Sequence, residues 1–204
     1  MKFRSLLCSV ALGLFAFGGI AAAQDKAEIT GLKDWAGEYV SAQTFWTDAR
    51  TEDFFKAVVE EGEKQGKPAT VDQVKQKMSD MYHSDYQAAV VDENGITFES
   101  KDGKSVRVDY EFKGAVKDAD GEDWYSFEAK AKGTPEDSQL THLVLIPLHG
   151  DPQHFHFRYG EVSAEDLLTK PEYHGWWGTF VHKGLTYEKY MEKMKPATFV
   201  KYVL

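Results

Sequence analysis

Between residues 86 and 159 the hydrophobic residues fall largely on every second position, and tight turns interrupt them at regular intervals. A period of two places alternate side chains on opposite faces of an extended strand. Val106, Val108, Tyr110 and Phe112 alternate with Arg107, Asp109 and Glu111. Asn94-Gly95, Asp102-Gly103 and Asp120-Gly121 supply the turns. Trp124 to Ala129 forms another strand, and His142 to Ile146 pairs with Gln153 to Tyr159 as a last hairpin. Strands spaced this way specify an antiparallel sheet or a small barrel.

Helices flank the strands. An opening strand covers Leu32 to Val40, and Thr51 or Asp53 starts a helix that runs to about Lys64 on the stripe Phe54, Phe55, Val58 and Val59. Gly62, Gly66 and Pro68 break it, and Thr70-Val71-Asp72-Gln73 is a capping box for a second helix ending near His83. After Gly160, Ser163 caps a short helix and Thr186 caps one through Met194. No internal repeat or low-complexity tract divides the chain, so residues 24–204 read as one domain.

Residues 1–23 are a separate matter. Lys2 and Arg4 precede an apolar run that ends in Ala21-Ala22-Ala23, the pattern of a cleavable secretory signal peptide. The run is short for a membrane span, so no stable membrane insertion is expected after cleavage. Cys8 is the only cysteine and leaves with the signal. The mature chain therefore has no disulfide, and any metal site in it must use His, Asp or Glu. The formal charge of −9 falls to −11 once Lys2 and Arg4 are removed, which argues against nucleic acid as a partner.

All seven histidines lie in the mature part, six of them from His142 to His182. His154 and His156 are separated by one residue on a strand, so they project from the same face and can chelate one ion. A hairpin turn through His149, Gly150 and Asp151 places His142 opposite His156 or one diagonal step away, within reach of a shared metal. Three histidines from two strands suit zinc, with the fourth position left open. His149 competes as the third ligand, although the turn points it to solvent. His83, His174 and His182 read as surface or packing residues. Asp118 to Asp123 reads as a solvated turn rather than a calcium loop. No nucleophile elbow, phosphate loop or HExxH motif occurs, and no enzyme is indicated.

The segments LKDWAGEYVS, YHSDY (82–86), QHFHFRYG (153–160) and EYHGWWGTF resemble the ZinT (YodA) family of periplasmic zinc- and cadmium-binding proteins, in the same order and over nearly the whole mature chain. The same module occurs as the C-terminal domain of some zinc-uptake lipoproteins. The resemblance implies a mainly β, lipocalin-like (calycin-type) barrel with an early helical insertion, and a buried three-histidine zinc site at one mouth. It carries the ligands over to His142, His154 and His156. It also implies a scavenger of periplasmic zinc, with cadmium or other divalent ions as alternatives, that passes zinc to the binding protein of a zinc ABC transporter. Two features depart from the family pattern. Thr141 stands where an aspartate is usual, and the gap before HFH is longer, which keeps His149 open as the third ligand. No histidine-rich loop precedes His83.

Two other functions compete. Gly150, His154, His156 and Glu161 approximate the first motif of a cupin-like metal enzyme, with Glu161 as an extra ligand, but no second motif follows. Trp35-Ala36-Gly37 and the aromatic content suit a lipocalin-like carrier of an apolar molecule, which predicts an empty, dry interior and no histidine cluster.

Overall fold

Eight antiparallel strands close into a barrel in simple chain order, in a computed structural model that describes residues 28–131 and 138–204. The expected signal peptide, residues 1–23, lies outside the described residues. The strands are β1 (Gly37–Ser41), β2 (Tyr86–Val91), β3 (Gly95–Ser100), β4 (Ser105–Lys117), β5 (Asp123–Ala129), β6 (His142–Leu145), β7 (His154–Gly160) and β8 (Gly178–His182). β8 closes the barrel on β1 through Tyr39↔His182, Val40↔Val181 and Ser41↔Phe180. Closure removes the exposed sheet edges that a chain of short strands would otherwise present.

The period-two pattern decides which residues fill the barrel. Trp35, Tyr39, Phe98, Phe127, Leu143, Phe155, Phe157 and Phe180 are each no more than 2% exposed and form one cluster. Large side chains occupy the interior where the carrier reading predicts an empty space. The opening strand is shorter than expected, because Leu32–Trp35 forms a 3-10 turn ahead of β1. That turn drops Trp35 into the cluster, edge-on to Tyr125 and Phe127 at 5.9 and 5.8 Å, with its indole N–H donating to the Ile146 carbonyl.

Helices form a second layer against the outer face. They are α1 (Gln43–Trp46), α2 (Glu52–Lys64), α3 (Val71–Met81), α4 (Ala164–Thr169), α5 (Pro171–His174), α6 (Tyr187–Lys193) and α7 (Pro196–Val203). The capping box at Thr70 and Gln73 is present in both directions. Ser163 and Thr186 each accept a backbone N–H at the start of α4 and α6. Phe55, Val58, Val74, Met78, Val200 and Val203 pack with Trp46 and Val181 into a second cluster between helices and barrel wall. Among the described residues no helix is long and apolar enough to cross a membrane.

The β6–β7 register differs from the one expected from the sequence. His142 pairs with Gly160 and Leu145 with Phe157, so Ile146 and not His142 faces His156. Pro147 lacks the N–H a ladder needs, so the regular pairing stops there. A single bridge between His149 and His154 then encloses Gly150 to Gln153. Gly150 takes a φ of +76°, which a glycine adopts without strain. The turn centre lies beyond the one expected, and the partners shift with it.

Candidate metal centre

His154 and His156 alternate along β7 with Phe155 and Phe157. The phenylalanines belong to the barrel interior, so the histidines face outward, towards the helical layer. His149 reaches them from the turn. Its ring centroid is 4.3 Å from that of His154 and 5.2 Å from that of His156, and the two β7 rings are 5.1 Å apart. One ring nitrogen from each of the three lies within 4.8 Å of the others.

Proton accounting fixes which nitrogen is free. His149 Nδ1 lies 2.8 Å from the Pro147 carbonyl, and His154 Nδ1 lies 2.8 Å from the Pro152 carbonyl. A carbonyl only accepts, so both nitrogens carry their proton. His156 Nδ1 lies 2.7 Å from the Thr179 hydroxyl, which donates its own proton to the Trp177 carbonyl at 2.7 Å. The hydroxyl must therefore accept from His156. All three rings hold the Nδ1–H tautomer, which makes Nε2 the lone-pair nitrogen of each. Outer partners that orient and polarise the imidazole in this way are the usual support of a metal-binding histidine.

Burial reinforces the neutral form. It holds His154 below the ordinary imidazole range, with repulsion from His149 adding to it. It holds His156 well below that range, with His154, His149 and Arg158 contributing. Arg158, 2% exposed, donates to the carbonyls of Trp176 and Leu167 and lies 4.9 and 5.3 Å from the rings of Trp124 and Trp177. Desolvation pushes its pKa down to about 10. It anchors Trp177, which meets His156 edge-on at 5.2 Å.

The other residues singled out by sequence lie elsewhere. His142 shares the outer face but sits opposite Gly160, four residues from His156 along β7, roughly 13 Å at about 3.3 Å per residue. Its Nδ1 is buried and has no hydrogen-bond partner among the described residues. Glu161 follows Gly160 at that same end and accepts from Ser138, so the carboxylate that the cupin reading requires does not join His154 and His156. The resemblance implied a buried site at the barrel mouth; the cluster lies on the outer wall, with His154 and His156 half-buried and His149 exposed. His182 stacks on Tyr39 at 4.9 Å, and His174 accompanies the Thr169 carbonyl. Thr179 was not foreseen, because its role follows from lying opposite His156 on β8.

Residues 20–196 match the sequence profile of a family described as ZinT (YodA) periplasmic lipocalin-like zinc-recruitment. Among solved structures, the chain is similar to the Zn(II)-bound ZinT-like domain of Streptococcus pneumoniae AdcA, with 21% identity and a TM-score of 0.61 over 83% of this chain and 93% of that one. It is also similar to Zn(II)-bound AdcA of the same organism, with 19% identity and a TM-score of 0.60, over 86% of this chain and 37% of that longer one. At these identities the likeness is one of fold. A comparison with curated protein sequences returned no significant match.

Proposed function

The chain belongs to the ZinT (YodA) family, described by periplasmic zinc recruitment, and from that premise we propose that its three clustered histidines take up a divalent ion, zinc foremost, as cargo. The observation that carries this is the shared tautomer. Three outer acceptors, Pro147 O, Pro152 O and Thr179 Oγ1, leave Nε2 as the lone-pair nitrogen of each ring, on rings whose centroids lie 4.3 to 5.2 Å apart. The proposed ligands are His149, His154 and His156, with His149 in the place the resemblance gave to His142. Imidazole suits zinc, and the same donors accept cadmium and other divalent ions.

The reading extends to the life of the protein. Residues 1–23 serve as a cleavable export signal, and residues 24–204 work in the periplasm as a non-enzymatic zinc scavenger. Recruitment requires release, and a set of three neutral ligands, one of them exposed, allows a recipient to complete the ion's shell and withdraw it. The recipient is the binding protein of a zinc ABC transporter, as the family resemblance implies.

Calorimetric titration of the chelator-treated mature protein with zinc tests this. One tight equivalent is expected, lost in His154→Ala/His156→Ala and strongly weakened in His149→Ala. Retention of the tight equivalent in the double variant would overturn the assignment.

A further inference from the structure

The three histidines do not lie on a bare wall. They form one end of a cavity of about 550 Å³ between the barrel and the ends of α3, α6 and α7, a size typical of small-molecule sites. Met81, Trp177, Met194 and Phe199 give it apolar and aromatic walls, and Lys193 and Lys195 line it as well. A bare ion needs no such walls. An apolar chamber opening directly onto an incomplete ligand set is the arrangement of a site that holds an organic molecule by one polar end.

The charge on the lining selects the polar end. Asp151 is the one carboxylate among the described residues that line the cavity, and Lys193 pairs with it at 2.8 Å. Lys195 makes no ion pair among the described residues. With neutral histidines and a divalent ion present, the chamber is positively charged within a protein whose formal charge is −9. Low-dielectric walls focus that field inward.

We propose that this cavity is a binding site for a small organic carboxylate with an apolar body, taken up together with the ion. The carboxylate fills the coordination that three histidines leave open and gains from Lys195, while the body lies against Met81, Met194, Phe199 and Trp177. This inference rests on the zinc reading and sharpens it: the cargo is a zinc–carboxylate complex rather than the ion alone. No covalent step is involved, since a carboxylate oxygen simply replaces water on the metal.

The test uses the mature protein, first loaded with zinc and then titrated with phenylpropionate, acetate and phenylpropanol. Phenylpropionate is expected to bind the loaded protein about tenfold or more tighter than either control, and to lose that margin after chelator treatment. In the cobalt-loaded protein it should shift the visible absorption bands, which report direct donation to the metal. Lys195→Gln, an exposed change, should weaken phenylpropionate several-fold and leave zinc affinity unchanged. Equal binding of the three probes, or an unchanged cobalt spectrum, would overturn the inference while the zinc reading stands. Absence of stoichiometric zinc binding would overturn both.

Discussion

The two ends of the β6–β7 hairpin carry similar residues and differ in what they do with them. His142 and His149 both precede the HFH triplet, and His142 shares the outer barrel face with His154 and His156. At the turn end, the His149 ring lies tilted against that of His154, with centroids 4.3 Å apart, and its Nδ1 proton has an acceptor. At the far end, His142 stands opposite Gly160, and its buried Nδ1 has no partner among the described residues. A histidine becomes a ligand candidate when neighbours fix its tautomer and other lone pairs converge with its own. Sharing a strand face is not enough.

Removing the near-end histidines should have the largest effect. His154→Ala/His156→Ala should abolish stoichiometric zinc binding, and His149→Ala should cost about 10³-fold in affinity, roughly 4 kcal/mol. Calorimetry with a competing chelator reads both. If His142→Ala weakens zinc as much as His149→Ala does, the contrast between the two ends collapses.

Gly150→Ala attacks the near end without replacing a ligand. An added Cβ would lie 2.6 Å from His154 Cε1, at a φ of +76°. Zinc affinity should drop by at least about tenfold, and stability by about 1 kcal/mol from the backbone alone. Thermal melts with and without zinc separate the two losses.

Thr179→Val keeps the shape and removes the acceptor for His156 Nδ1–H. Outer-partner losses of this kind cost about 10- to 100-fold in metal affinity, and intact melting of the metal-free protein would place the effect on the tautomer. Unchanged zinc affinity would mean that the tautomer does not depend on Thr179.

Acidity tests the near end through His154 and His156. Burial lowers the pKa of His154 and His156 from 6.5, so protons compete with zinc less than they would at exposed rings, and zinc should remain bound some way below pH 6.5. The metal-free fold responds in the same direction. Below about pH 6.5 the unfolded chain takes up protons that these folded histidines refuse, so stability falls with pH until the folded rings titrate too. Zinc titrations and melts across pH check both signs. The smallest effect is expected at the far end, where His142→Ala should shift zinc affinity less than about twofold.

The alternation from Val106 to Phe112, the Asp-Gly turns and the Thr70 capping box were enough to announce a barrel with an early helical pair, since each is a local rule with a short reach. The HFH triplet was legible for the same reason: a strand's period of two makes residues i and i+2 neighbours wherever the strand goes. Thr179 was not legible. It lies 23 residues from His156 and meets it only because β8 pairs with β7.

By itself, then, the sequence determined the strands, the helices, the pairing of His154 with His156 and the absence of cysteine ligands from residues 24–204. The tertiary structure alone decided which histidine lies beside that pair, and the cavity next to it. Pairing register depends on where a turn closes, and Pro147 with Gly150 moved that point enough to bring in His149 and leave His142 behind. The cavity walls come from α3, α6 and α7, which approach the histidines only after the barrel has closed and given them a surface to pack against.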